Sequence, residues 1–454
     1  MRILFISKDM IAGDLSRKLK EEGHDVKLFI DTKDGKHCLD GFVNKTQNWR
    51  SELSWVGKEG LIVFDDTGYG KVQDKLRQEG YVVFGGSEIG EKIEIDREYG
   101  QEIFAQYGIK TVPLKDFFDV SEAIEFIKQN PGKWVLKHNE HLNKHLTYTG
   151  ILDDGSDVID VLENHRKNHT LSEKTITLQK LLEGIEIGVG RFFNGNDWVG
   201  PIEMNIEHTR LFPGDVGPIT SEMGTLAWYD DSDSNKLFQE TLAKLKPFLK
   251  STDYRGDVAI NCIVNSDGAF PLEATMRLGT PIVHLQSEIH SSPWGEFLHA
   301  IASGEEYDLK WKVGYGIAVM IAVPPFPYAH KLGRYSLTGA SIFCNYKQGT
   351  KEATHIHFEE VGIKDHKQLY IADSRGYIMY ATNMGDSVEQ ARSNVYKIIK
   401  GVNIPQMFYR NDIGYKFIVE DKIKLQKWGY LNKIEKVGHE KVKGGIEFDI
   451  SKLY

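Results

Sequence analysis

The sequence predicts a multidomain protein of mixed α/β and α+β class, and three observations carry that expectation. Short apolar runs alternate with amphipathic, glycine-terminated stretches near the start of the chain, the pattern of βαβ units. Further on, longer apolar segments are separated by Asn-Gly and Asp-Gly tips, the strongest local hairpin signal. A chain of 454 residues also exceeds what one hydrophobic core organises, and about three domains are expected at this length.

In order, RILFIS (2–7) is an apolar run fit for a buried strand, GDLSRKLKEEGH (13–24) is a helix ended by glycine, and DVKLFI (25–30) is a second strand. LIVF (61–64), a helix near 71–79 and YVVFGG (81–86) repeat the alternation, which calls for parallel strands with helices on both faces. Ser7 to Asp9, Asp65, Asp66, Gly85 and Gly86 end these strands and are expected to line a ligand crevice. A helix begins at Asp96, and KWVLKH (133–138) and TITLQKLLEG (175–184) read as strands that bend. RFFNGNDWVGPIEMN (191–205) and DVAINCIVNSDGAFPLEATMRL (257–278) are antiparallel hairpins. A break at Pro324, Pro325 and Pro327 precedes a mixed segment and the helix SVEQARSNVYKIIKG (387–401), and the chain beyond about Lys416 is a polar extension of weaker periodicity.

Composition limits the function. With 41% hydrophobic and 27% charged residues the chain is not a disordered or fibrous one. The net charge of -9 argues against nucleic acid or anionic membrane as partner, since both require a positive surface. The longest purely apolar stretch, 317–323, is far shorter than the roughly 20 residues of a membrane span. Cys38, Cys262 and Cys344 lie far apart and read as reduced thiols, and MRILFIS lacks a signal-peptide core, so a soluble cytoplasmic protein is expected.

Four blocks carry candidate chemistry. RLFPGDVGPITSEMG (210–224) reads as a long loop, either functional or a surface excursion. In FPLEATMRLGTP (270–281), strand alternation puts Glu273, Thr275 and Arg277 on one face, where they can hold magnesium and a phosphate, or form a solvated sheet face. Lys137 and Lys144 are placed to neutralise polyphosphate, while His138, His141, His145, His355 and His357 read as surface histidines rather than a zinc site. Glu186, in LLEGIEIG, follows a strand-like segment and a glycine and can accept from a ribose diol. The P-loop, GxGxxG, GxSxG and HExxH patterns are missing from the sequence.

Taken in order, these pieces resemble the phosphoribosylamine–glycine ligase family, also called glycinamide ribonucleotide synthetase, of the ATP-grasp superfamily. YVVFGGSE with DREYGQEIFAQYGIKTVP, LLEGIEIG, RLFPGDVGPITSEMGTLAWY and DYRGDVAINCIVNSDGAFPLEATMRLGTP are similar to successive family motifs, and MFYRNDIG (407–414) is the most specific match. The resemblance spans about residues 1–415. It implies an N-terminal doubly wound α/β (pre-ATP-grasp) substrate domain over 1–92 and an ATP-grasp domain over 93–310 with its lid at about 118–185. A C-terminal mixed domain over 311–415 and an extension over 416–454 complete it.

The implied chemistry is ATP-dependent ligation of a carboxylate to an amine through an acyl phosphate, with phosphoribosylamine and glycine as substrates in purine biosynthesis. The resemblance implies ATP and magnesium, with manganese as an alternative, small-molecule partners and a monomer. Glu273 and Thr275 are the implied metal ligands, and Arg277 and Asp215 the catalytic candidates. Arg97, Lys137, Lys144, Gln179, Lys180, Leu182 and Glu186 are placed on the nucleotide. Asp9, Asp65, Gly85, Gly217, Pro218, Thr220 and Gly224 are placed on the other substrates.

Departures cluster on substrate contacts. ISKDMIAGD (6–14) replaces a glycine-rich phosphate cradle, KHNEHLNKHLTYTG (137–150) replaces a glycine-rich lid, SEMG (221–224) replaces GGMG, and EAT (273–275) replaces EFN. They keep two alternatives open, a ligase joining an amino acid to a different amine and a non-catalytic nucleotide-binding or scaffold protein.

Overall fold

The computed structural model describes residues 1–33, 35–112, 114–138, 147–168, 176–328, 336–346, 350–365 and 367–431. At the N-terminus five strands form a parallel sheet in the order Asn44–Lys45, Asp25–Ile30, Arg2–Ser7, Leu61–Phe64, Val82–Phe84. The apolar runs are continuous because both faces are covered. Ile3, Phe5 and Val63 enter one core, while Leu4, Ile6, Ile62 and Phe64 enter another with Trp49 and Leu76. The helices Gly13–Glu21 and Gly70–Gln78 follow the first and fourth strands in chain order, so their N-termini stand at the carboxyl ends of strands.

The segment expected as the lid, called the lid below, is a four-stranded sheet in the order Leu114–Phe117, Ile176–Lys180, Trp134–His138, Tyr148–Thr149, with the helices Val120–Gln129 and Ser156–Lys167. Phe117, Ile124, Trp134, Leu136, Leu162, Ile176 and Leu178 give it a core of its own. Asp119 starts the first of these helices by accepting from the Ser121 amide at 2.6 Å.

An eight-stranded sheet forms the body, in the order Gly268–Thr275, Arg255–Asn265, Ile185–Asn194, Trp198–Glu207, Gly224–Asp230, Tyr315–Ala322, Tyr377–Gly385, Ile356–Phe358. All its pairings are antiparallel, and both expected hairpins are present. The expected domain boundary at 310/311 runs between neighbouring strands of this one sheet. A smaller sheet follows the order Val361–Lys364, Gln368–Ile371, Ser341–Cys344, Val402–Asn403.

One local expectation is corrected. The segment 210–224 is not an open loop, because Arg210–Phe212 and Val216–Ile219 pair as a short hairpin turned by Gly214 (φ 76°) and Asp215 (φ 55°). The extension packs on the body: Phe417 lies against Trp228 and Tyr315, and Tyr430 donates to Glu240 Oε2 at 2.7 Å. Residues 432–454 lie outside the described residues. Among those described, no helix is long and apolar enough to cross a membrane.

Candidate active site

One face of the body sheet carries the oxygen-rich centre. Pairing is Val264 with Ala269, Ile263 with Phe270 and Cys262 with Pro271, and it then slips by one residue so that Asn261 faces Glu273 and Ala259 faces Thr275. This bulge at Leu272 turns Glu273 and Thr275 onto the Asn261 face, since residues directly opposite share a face. Across the next strand Gly188 lies between Asn261 and Asn205. A Cβ at Gly188 would come within 2.4 Å of Asn205 Oδ1 and 2.7 Å of Asn261 Oδ1. The glycine therefore leaves a hollow into which two amide oxygens converge. Asn261 Nδ2 donates to Glu207 Oε1 at 3.0 Å, and among the described residues the buried Asn205 Oδ1 has no hydrogen-bond partner. Carboxylate and amide oxygens arranged this way fit a hard divalent cation such as magnesium. Sequence reasoning missed Asn205, Glu207 and Asn261; the hairpin tip gives the register only up to the bulge.

Deeper on the same face the donors become an acid cluster. Glu203 is buried, and desolvation with the Asp257 charge nearby pushes its carboxyl well up. Asp257 is raised by burial to about 7 and accepts from Gln286 Nε2 at 3.3 Å.

The other predicted nucleotide residues fall on two elements. Lys137 stands opposite Thr177, and Gln179 lies between Leu114 and Val135, on the lid sheet. Lys180 ends the lid strand, Leu182 lies on the short connection from it to the body strand Ile185–Asn194, and Glu186 is the second residue of that strand. Arg97, first residue of the helix Arg97–Gln106, reaches Glu273 at 3.8 Å. Lys144 lies outside the described residues, as do His141 and His145.

Arg277 departs from the expected arrangement because its strand ends at Thr275. Its guanidinium lies 2.9 Å from Glu94 and 3.2 Å from Asp66, between the N-terminal sheet and the body. Asp215 is also engaged. Arg410, 1% exposed, donates to Asp215 Oδ1 and to the Arg210 carbonyl at 2.9 Å each, and clamps Asp412 through two nitrogens. Asp412 accepts from the Gly214 amide at 2.8 Å, and His208 Nε2 accepts from the Gly414 amide at 3.2 Å. The MFYRNDIG segment thus fastens the hairpin that carries Asp215, Gly217 and Pro218. Thr220 donates to the Thr209 carbonyl at 2.8 Å, and Gly224 (φ 154°) opens the next strand. Arg410 and Asp412 were legible as a motif but had no assigned role.

At the strand-end crevice Asp65 is fully buried and its carboxyl is raised by desolvation and the Asp66 charge to about 7. Asp9 is half-exposed and bonded by Arg375 at 2.9 Å. Gly85 leaves the sheet by bridging to Arg255.

His355 and His357 are not surface residues. His357 is buried with Asp14 Oδ2 at 3.2 Å and Thr382 Oγ1 at 3.0 Å, and His355 lies 2.7 Å from Glu288. Ligand atoms of Asp14, His284 and His357 all lie within 4.8 Å of one another. Yet Arg17 clamps both Asp14 oxygens at 2.7 and 2.9 Å, His284 bonds Glu359 at 2.9 Å, and the two imidazoles stack. A guanidinium on the shared carboxylate opposes a cation there, so the cluster reads as an inter-domain polar joint.

Residues 95–281 match the Phosphoribosylglycinamide synthetase, ATP-grasp (A) domain family. A phosphoribosylamine–glycine ligase of Streptococcus pneumoniae is 23% identical over 436 residues, covering 92% of this chain and all of the relative. The fold is similar to that of a phosphoribosylamine–glycine ligase from Thermotoga maritima, with a TM-score of 0.67 at 20% identity, covering 91% of this chain and 100% of that one. It is also similar to the biotin carboxylase domain of a Hydrogenobacter thermophilus 2-oxoglutarate carboxylase in complex with MgADP (TM-score 0.60, 13% identity, 90% and 91% covered). The chain thus matches the Phosphoribosylglycinamide synthetase, ATP-grasp (A) domain over 95–281 and is similar along nearly its full length to phosphoribosylamine–glycine ligases.

Proposed function

We propose that this protein is an ATP- and magnesium-dependent ligase that joins a carboxylic acid to an amine. The observation that carries this reading is the oxygen-lined hollow over Gly188, with Glu273 turned onto the same face by the bulge at Leu272. Glu273, Thr275, Asn261 and Glu207 are the residues that would hold magnesium, which when bound screens the phosphate charge. Lys137 and Lys180 on the lid and Glu186 on the body serve the nucleotide, Arg97 the phosphates. The substrate carboxylate attacks the γ-phosphorus, releasing ADP. The amine nitrogen then attacks the acyl carbon, and phosphate leaves as the C–N bond forms and the nitrogen loses a proton. Positioning and charge neutralisation are what the protein supplies to such a transfer. The clamped hairpin with Asp215, Gly217, Pro218 and Thr220 borders the acid, and Arg277 joins the crevice to the body sheet. Manganese as a substitute metal, a monomeric state and a cytoplasmic location belong to the same reading.

Phosphoribosylamine plus glycine, giving glycinamide ribonucleotide in purine biosynthesis, is the reaction for which the curated relatives are named, and it heads the assay. ADP release is expected in the presence of magnesium with a productive pair and is expected to vanish in Glu273→Ala, whose folding is checked by circular dichroism. Equal ADP release by the variant overturns the assignment of the metal site. Failure of the wild-type protein to bind ATP overturns the ligase reading. A second reading, a ligase for a different amine, is favoured by the carboxylates that occupy the strand-end turns.

A further inference from the structure

The body sheet is bare at two successive positions of one face, Gly188 and Gly190. Over the first stand the amide oxygens of Asn205 and Asn261. A Cβ at Gly190 would come within 2.9 Å of Glu203 Oε2 and 3.4 Å of the Ala259 methyl group, so the hollow continues inward between the strands Trp198–Glu207 and Arg255–Asn265. Asn205 joins the two parts: its oxygen lies over Gly188, and its Nδ2 donates to Glu203 Oε2 at 3.2 Å. Asp257 stands opposite Phe192, the next residue on that face, and accepts from Gln286 Nε2 at 3.3 Å.

The inner part is lined by acceptors whose donors are missing. Glu203 is 3% exposed and Asn205 4%, and among the described residues Glu203 Oε1, Asn205 Oδ1 and Gln286 Oε1 have no hydrogen-bond partner. The amide groups of Asn205 and Gln286 cannot turn to supply a donor, because the nitrogen of each is committed to a carboxylate. Tyr229, opposite Glu203 on the next strand, shares its hydroxyl with His290 Nε2 at 2.6 Å. Among the described residues no cation pairs with Glu203 or Asp257: the charges acting on Glu203 are those of Asp257 and Glu207, both acidic, and Asp257 has only the N–H groups of Gln286 and Val258. Buried acids are as a rule paired or bound to a cation, and buried acceptors left open mark a group that the protein alone does not supply. An ammonium group, with three donors and no acceptor, completes the set. Alternate positions of a strand are about 6.7 Å apart, so an ammonium over Gly190 leaves the carboxylate of the same small molecule over Gly188, beside the residues that would hold magnesium.

We infer that Glu203, Asn205 and Asp257 form a specificity subsite for the ammonium group of the acid substrate, so that the acid this ligase activates is a small amino acid and not a plain carboxylic acid. This rests on the ligase reading and names how the same site selects its acid. Isothermal calorimetry on the full chain, loaded with magnesium and the β,γ-imido analogue of ATP, tests it with glycine and propionate, which match in size and differ in the ammonium group. Glycine is expected to bind at least about tenfold more tightly than propionate, and this preference to fall below about threefold in Glu203→Gln and in Asp257→Asn, with binding of the nucleotide analogue unchanged. Circular dichroism checks the folding of both variants; should one not fold, the other and the wild-type comparison decide. Equal binding of the two acids, no binding of glycine, or an undiminished preference in the folded variants overturns the inference. Potassium binding that Glu203→Gln abolishes, with glycine no tighter than propionate, assigns the pocket to a free ion and overturns it too. Failure of the wild-type protein to bind the nucleotide analogue instead overturns the ligase reading, so the two failures are distinguishable.

Discussion

Asp257 shows how a single buried side chain ties the centre to pH. It lies on the face that carries Asn261, opposite Phe192, with Glu203 standing opposite Gly190 on the strand beyond and Gln286 donating to its carboxylate. Burial raises its carboxyl to about 7, whereas in the unfolded chain the proton leaves near 3.8. Between those values the folded state binds more protons than the unfolded one, so this group's contribution to stability declines as pH rises from about 4 to 7. Asn keeps the shape of the protonated acid and does not titrate. Asp257→Asn is therefore expected to melt together with the wild type at pH 4 and a few °C above it at pH 8, each kcal/mol being worth about 2–4 °C in a large domain. Melting curves that stay parallel across the range would show that Asp257 is not held protonated.

At the scale of elements, the hairpin Arg210–Phe212 and Val216–Ile219 has little apolar surface of its own, with Phe212 and Val216 exposed, and owes its position to the buried Arg410. Arg410→Lys keeps the charge and removes the fork that bonds Asp412, Asp215 and the Arg210 carbonyl together. KM for the acid is expected to rise about tenfold with a smaller change in KM for ATP, and proteolysis within 213–217 to accelerate. A variant with unchanged KM and unchanged cleavage would show that the hairpin holds itself. What the sequence made legible follows from this difference in support. The strands Arg2–Ser7 and Leu61–Phe64 are buried on both faces, so their apolar runs were readable, as were the hairpins with Asn-Gly and Asp-Gly tips. The 210–224 hairpin is held by a residue two hundred positions away, and no local pattern of apolar residues announces it. Glu273 was readable through its motif, but Asn261 and Glu207 were not, because the bulge at Leu272 decides which residues share a face. Arg277 was misplaced for a related reason. Strand alternation was extended past Thr275, where the strand stops and Glu94 and Asp66 draw the guanidinium across to the N-terminal sheet.

Across the whole molecule, the N-terminal sheet is fastened to the body through its first helix. Glu22 accepts from the amides of Trp294 and Gly295 at 2.9 Å each, at the start of the helix Trp294–Ser303. Arg17 and Asp14 meet His357, whose other nitrogen meets Thr382, and Thr382 donates to Glu288 at 3.1 Å. This joint brings together helix 13–21, the body and the C-terminal strands, so the crevice and the hollow over Gly188 keep their relation only while it holds. Asp14→Ala leaves Arg17 buried with Glu21 at 2.6 Å as its remaining carboxylate, and His357 with one partner fewer. Breaking a buried pair from one side costs several kcal/mol, and the retained Glu21 brings the expected loss to the low end, about 3 kcal/mol. Hydrogen exchange is the measurement that locates the loss. Protection is expected to fall in Arg2–Ser7 and Leu61–Phe64 and in Ile356–Phe358, and to stay unchanged in the lid strand Ile176–Lys180, whose core is separate. An equal fall in the lid would mean that the molecule unfolds as one unit, and no fall anywhere would mean that the joint does not fasten the sheets.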